Sequence, residues 1–229
     1  MTVFYLKLIA IVTMLIDHIG LFFFPDIPLF RIIGRLSFPL FAFLIANGAY
    51  YTKNQNRYLL RLGIFALVSQ IPYGLLYGLI LPSFSGINIF GTLFLGLLAI
   101  VLSRNQKNHF LKGLSIALPA FVALVLDASY GAAGVVSIVI FYYYFRNLKM
   151  LILLQGFLFL CVYSLPALYE ALVSGWYVNV VAFLQPLGLL SLVFIALYNH
   201  KKGPSFSLGF YVFYPVHLFI LYVFKIWYS

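Results

Sequence analysis

Three ionisable side chains, Lys7, Asp17 and His18, interrupt an otherwise apolar stretch, LKLIAIVTMLIDHIGLFFFP, residues 6–25. An imidazole can accept or release a proton near neutral pH. A carboxylate can hold a cation, and an ammonium can hold an anion. A helix advances about 100° per residue, so the eleven steps from Lys7 to His18 return to within about 20° of one face, with a rise of about 16 Å. Asp17 is turned about 100° from His18. It is therefore expected to meet a neighbouring span, at Arg35 or Arg31. Charges at the bilayer centre cost about 2.5–3.5 kcal/mol or more, and those that are kept usually face the bundle interior. The plainer alternative puts Asp17 and His18 near the outer interface, hydrated or paired.

A second constellation is FRIIGRLSFPLFAFLIANGAYYT, residues 30–52. Arg31 and Arg35 are four apart, on one helix face. They suit an anionic or carbonyl group, although snorkelling to headgroups is the bland reading. Pro39 can kink this span, and Asn47 is polar at depth. A third group is dispersed. GINIFGTLFLG, residues 86–96, puts Asn88 and Thr92 on one face, and interhelical hydrogen bonding is their simplest use. Asp127 and Tyr130 open a turn with Gly131 and Gly134. FYVFYPVHLFILYVFK, residues 210–225, places Tyr214 and Pro215 just before His217, where a local break would aim the imidazole. Metal binding is not expected, because the four histidines are scattered and no H-x-x-x-H or C-x-x-C spacing occurs.

The elements that must position these residues follow from composition. The chain has 229 residues, 65% hydrophobic and 8% charged. Soluble domains are about half apolar and about a quarter charged. An all-α, polytopic integral membrane bundle is expected, forming a single domain over 1–229. Nine apolar spans are read at roughly 3–24, 36–52, 58–80, 88–103, 112–127, 131–146, 149–166, 178–198 and 207–226. A spanning helix needs about 20 residues, and the fourth to sixth spans lie at or below that length. No cleaved signal peptide is expected, because the first stretch lacks a small-residue cleavage site.

Fourteen Lys and Arg face four acids, for a net charge of +10. In a membrane protein this excess points to cytoplasmic loops rather than nucleic acid. Lys53 and Arg57, then Arg104, Lys107 and Lys112, then Arg146 and Lys149, then Lys201 and Lys202 fall in alternate loops. The loops between hold Asp127 and Glu170. Positive loops stay inside, so the N-terminus is expected in the cytoplasm and the C-terminus outside. Arg31 and Arg35 break the pattern by falling on the outer side, which calls for a site. Gly74 and Gly78 form a GxxxG pair, expected to serve close packing within the bundle.

Taken together, K-x10-H with DHIG, then IGRLSFPLFAFL, YYTKNQNRYLLRLGIFALVSQIPY, GINIFGTLFLG, DASYGAAGV and FYPVHL resemble the TraX family of bacterial membrane proteins, in order and over nearly the whole chain. The founding member acetylates the N-terminus of the F-type conjugative pilin. The resemblance therefore implies an acyltransferase of the bacterial cytoplasmic membrane, using acetyl-CoA as donor. The acceptor would be a pilin-like N-terminal amine, a peptide or a surface glycan hydroxyl. The first helix is also similar to integral-membrane acyltransferases that carry a basic residue, ten residues and a histidine. Lys7 stands where arginine is commoner, so a point charge replaces a bidentate fork.

On this resemblance Lys7, Arg57, Arg61 and Lys107 would hold the nucleotide end of CoA, and His18 would act as general base. Arg35, or Asn88 with Thr92, would stabilise the oxyanion. Asp17 would hold an acceptor ammonium or orient a neighbour. Arg31, Asn47, Asp127, Tyr130, Tyr214 and His217 would support the acceptor, with His217 the alternative base. Two other readings compete. One is a proton- or ion-coupled transporter or channel using Asp17, His18 and His217. The other is a non-enzymatic assembly factor that holds a membrane-embedded partner.

Overall fold

A computed structural model describes residues 1–83, 85–173, 184–204 and 207–228. The described chain is helical, and its one strand-like feature is an isolated bridge between Ile87 and Ala128. The helices are α1 (Val3–Phe23), α2 (Pro28–Gly34), α3 (Ser37–Tyr51), α4 (Gln55–Gly78), α5 (Ile89–Ser103), α6 (His109–Val125), α7 (Gly131–Tyr143) and α8 (Leu148–Phe159). A π-helical turn (Leu160–Ser164) then leads into α9 (Leu165–Val173). A 3-10 turn (Gln185–Leu190), α10 (Ser191–Ala196) and α11 (Ser207–Tyr228) complete the order.

Among the described residues five helical stretches are long and apolar enough to cross a bilayer: Val3–Phe23, Pro28–Tyr51, Gln55–Gly78, Leu148–Glu170 and Leu208–Tyr228. The protein is a membrane protein on that ground; of the nine expected spans, five are matched by helices of spanning length among the described residues. The apolar helices Ile89–Ser103 and Gly131–Tyr143 have 15 and 13 residues, short of spanning length, and His109–Val125, with 17, stands at its lower limit. Asparagine caps fix where several helices begin. Asn54, Asn88, Asn108 and Asn147 each accept a backbone N–H from the first turn that follows them. The expected span 178–198 begins in residues outside those described. Its described part is the 3-10 turn and α10.

Backbone contacts divide the chain into two compact units, Met1–Leu44 with Tyr144–Ser205, and Ile45–Tyr143 with Phe206–Ser229. In the first unit α1 packs antiparallel on α2. Two glycines make the approach possible: a Cβ at Gly20 would lie 2.2 Å from Phe30 Cβ, and one at Gly34 would lie 1.9 Å from Asp17 Oδ1. The Ser37 hydroxyl donates to Ala10 O at 3.1 Å, docking the start of α3 on α1. Pro39 lies in the first turn of α3, the helical position a proline tolerates, and the chain bends just before it at Arg35–Leu36. Val3 N–H donates to Lys201 O at 3.0 Å and Asn199 N–H to Met1 O at 2.9 Å. The N-terminus and the basic 199–202 loop therefore share one end, as the charge pattern requires.

In the second unit α5, α6 and α7 pack on one another, and α4 packs on α5 and α11. Gly96 admits Ile138, whose Cδ1 would lie 2.4 Å from a Cβ there. The loops before α5 and after α6 are joined, with Ile87 N–H donating to Asp127 O at 3.2 Å and Ser129 N–H to Ile87 O at 3.0 Å. Both were expected on the outer side. Gly74 and Gly78 do not do what the sequence suggested: a Cβ at either would meet nothing within 4 Å, so no close packing depends on them.

Candidate functional site

Helix α1 turns one face inward. Its stripe 7, 11, 14, 18 runs from half-buried Lys7 through Ile11 and Met14 to His18, and the last three are 8%, 7% and 7% exposed. Tyr5, Leu8 and Val12 form its exposed side. The expected phase match of Lys7 with His18 is thus present, and the imidazole faces protein rather than lipid.

Asp17, the residue before His18, receives two guanidinium groups. Arg31 Nη1 reaches Asp17 Oδ2 at 2.6 Å and Arg35 Nη2 reaches Asp17 Oδ1 at 2.9 Å. Asp17 was expected to meet one of these arginines and meets both. Arg31 is in α2 and Arg35 caps its C-terminus, where Arg35 Nε also donates to Arg31 O at 3.2 Å. Arg35 Nη1 donates to Gln185 Oε1 at the start of the 3-10 turn. Gly188 in that turn lies against Arg35 O, 2.8 Å from where a Cβ would be, with the ring of buried Phe159 behind it. One carboxylate against two guanidiniums leaves one positive charge in excess, and His18 lies close enough to feel both arginines.

Gln185 was not singled out in the sequence. Its polar amide beside Pro186 in an apolar run was the available signal.

The other candidates lie in the second unit, and several have local work. Asn88 caps α5 by accepting Phe90 N–H at 2.9 Å. Its Nδ2 donates to Ala66 O and to Gln70 Oε1, both at 2.7 Å. Gln70 Nε2 donates in turn to Gly86 O at 2.9 Å. The Thr92 hydroxyl donates to Ser129 O. The Asn88 Nδ2 bonds join the start of α5 to α4, the simpler of the two uses read from the sequence, whereas Thr92 binds the turn between α6 and α7. Arg57 and Arg61 are exposed on α4, and the Arg61 guanidinium lies 5.6 Å from the Tyr211 ring centre. Asn47 is buried.

His217 and Tyr214 are buried on α11, with ring centres 5.4 Å apart. His217 also stacks on Phe213 at 4.8 Å, and its Nδ1 is 2.9 Å from Phe213 O. A carbonyl only accepts, so Nδ1 carries the proton in that bond. The expected break at Pro215 is absent, because α11 continues through it. Removing one N–H costs a single backbone bond, and the flanking turns persist. Asp127 and Tyr130 adopt left-handed backbone conformations, with φ of 46° and 65°. Asp127 is exposed and Tyr130 half-buried.

The family model described as TraX protein matches residues 4–225. A relative in Dichelobacter nodosus, named "Probable fimbrial assembly protein FimC, serogroup H1", is 30% identical over 237 residues, covering 95% of this chain and 93% of that one. A Rickettsia prowazekii (strain Madrid E) protein named only as uncharacterised is 34% identical over 105 residues, 46% of this chain and 39% of that one. No solved structure matches the chain.

Proposed function

The chain belongs to the TraX protein family, and on that premise we propose that it is a membrane acetyltransferase. The donor is cytoplasmic acetyl-CoA. The acceptor is an amine or hydroxyl that is extracytoplasmic or embedded in the membrane, such as a pilin-like N-terminus. The protein would act in the bacterial cytoplasmic membrane, in the assembly of a pilus or fimbria. The fimbrial name of the Dichelobacter nodosus relative supports that setting.

One observation carries the chemical reading: a buried imidazole stands next to a carboxylate–diguanidinium cluster with one positive charge in excess. Attack of the acceptor on the thioester carbonyl forms the new C–N or C–O bond and puts negative charge on the carbonyl oxygen. His18 takes the proton that the acceptor loses. The excess charge of Arg31 and Arg35 favours the oxyanion, most strongly where water is excluded. Collapse of the intermediate breaks the C–S bond, and the departing thiolate receives the proton from His18. Lys7, at the other end of the same face, holds the anionic end of CoA as a point charge. Asp17 keeps both guanidiniums in place.

The test is transfer of labelled acetyl from acetyl-CoA to a pilin-type N-terminal peptide by the protein in lipid nanodiscs. Absence of transfer, or transfer undiminished by His18→Ala, removes this mechanism. A second reading is favoured by the relative's printed name alone: a non-catalytic factor that holds an apolar partner during fimbrial assembly. It expects His18→Ala to leave assembly intact.

A further inference from the structure

The basic side chains of the second unit have one acid between them, Asp127. Arg104, Lys107 and Lys112 lie close together in sequence, from the cap of α5 to the first turn of α6. Asp127 follows the far end of α6, about 22 Å along the axis from Lys112. Among the described residues no ion pair reaches Arg104 or Lys112. The charge pattern assigns this end of the unit to the cytoplasm, where the leaflet surface is anionic.

Lys112 is held in place rather than waving in solvent. It is half-buried, and its ammonium lies 4.0 Å from the centre of the Tyr143 ring on α7. That ring is fixed in turn, since the Tyr143 hydroxyl donates to buried Ser103 Oγ at 2.9 Å. Asn108 sets the start of α6. Its Oδ1 accepts Phe110 N–H at 2.8 Å, and its carbonyl accepts Lys112 N–H at 2.9 Å. Arg104 follows Ser103 directly, and its charge acts on the hydroxyl of Tyr142, beside Tyr143. Two cations are thus tied to one tyrosine pair, where the end of α5, the start of α6 and the end of α7 meet. Along α6, Phe110, Leu114, Leu118 and Phe121 share one exposed face.

We propose that Lys112 and Arg104, set on Tyr143 and Tyr142, bind the phosphate of an anionic phospholipid from the cytoplasmic leaflet. A ring face attracts an ammonium through its quadrupole but leaves the positive charge uncancelled. Because the ring already holds Lys112, less side-chain freedom is lost when the anion arrives. The acyl chains lie along the exposed face of Phe110, Leu114, Leu118 and Phe121. A zwitterionic lipid carries a cation beside its phosphate and is disfavoured. The proposal stands apart from the acetyl-transfer reading, because neither donor nor acceptor enters it.

The experiment titrates the full chain, purified in a mild detergent, with phosphatidylglycerol or with phosphatidylcholine of the same chains. Native mass spectrometry reads the bound lipid. The first phosphatidylglycerol should bind roughly 25-fold more tightly than the first phosphatidylcholine, about fivefold for each cation. Lys112→Gln and Arg104→Gln should each remove about fivefold of that preference. Lys112→Arg, which keeps the charge and the ring contact, should retain it. Tyr143→Leu should lower it although every charge remains, which diffuse attraction to a basic surface would not do. Lys225→Gln, in the last turn of α11, should leave it unchanged. Equal binding of the two lipids, or a full preference in Lys112→Gln or in Tyr143→Leu, overturns the proposal. So does a loss in Lys112→Arg or Lys225→Gln as large as in Lys112→Gln. Displacement of the lipid by equimolar coenzyme A or inorganic phosphate also overturns it, because the cluster then serves a soluble anion.

Discussion

Gly34 lies so close to Asp17 that a Cβ on it would sit 1.9 Å from the carboxylate oxygen Oδ1. That approach lets α2 present both arginines to one carboxylate on α1. Gly34→Ala should push the helices apart or displace Asp17, costing roughly 1–3 kcal/mol. Gly74→Ala is the control, since its Cβ would meet nothing within 4 Å. It should leave stability unchanged or raise it by about 0.4–1 kcal/mol. Thermal unfolding in detergent, followed by tryptophan fluorescence, compares the two.

Asp17→Asn should destabilise more than Arg31→Gln. The first leaves two partly buried guanidiniums facing each other. The second leaves the Arg35 pair and its bond to Gln185 intact. Removing one member of a buried pair costs roughly 3–5 kcal/mol. The side chains here keep up to 16% exposure, so the lower part of that range applies. A double-mutant cycle should find the two changes strongly non-additive, and additive values would mean the pair carries no coupling.

Gln185→Glu separates charge from geometry. The new carboxylate still accepts from Arg35 Nη1 but cancels the excess positive charge of the cluster. Stability should hold, while kcat for acetyl transfer should fall by roughly 10- to 100-fold, somewhat below the loss of one oxyanion donor. Gln185→Ala should instead lower stability by about 1 kcal/mol. If Gln185→Glu keeps full kcat, the charge excess has no part in the reaction.

Asn88→Ala removes a helix cap and two interhelical donors at once, and should cost roughly 1–3 kcal/mol. Transfer per folded molecule should be unchanged, because both Nδ2 bonds and the Oδ1 bond are already taken within the fold. A drop in kcat for the folded fraction would return Asn88 to the oxyanion role that its sequence position first suggested.

Features set by local periodicity and composition could be read directly from the chain. Apolar content required a membrane. The spacing of Lys7 and His18 required a shared face, because 3.6 residues per turn is a property of the backbone itself. The turn sequences around Asn54 and Asn108 lay where helices begin. The alternation of basic loops correctly put the N-terminus at one end with residues 199–202. Span number was less legible. Apolar runs show that a segment avoids water, whereas caps and turns decide how much of it is helix, and the fourth to sixth runs, already read as at or below spanning length, form helices of 15, 17 and 13 residues. Pro215 and Gly74 misled for a related reason: their local tendencies were outweighed, or left unused, by the surrounding packing.

What the sequence could name for Asp17 was a need, namely a cation from another helix. Only the tertiary structure decided that two arginines meet it, that Gly34 makes room, and that Gln185 closes the cluster from 150 positions away along the chain. Hydrogen bonds and ion pairs act over a few ångströms in space with no regard to sequence distance. Their partners become definite only when helices with apolar faces have been packed into one arrangement.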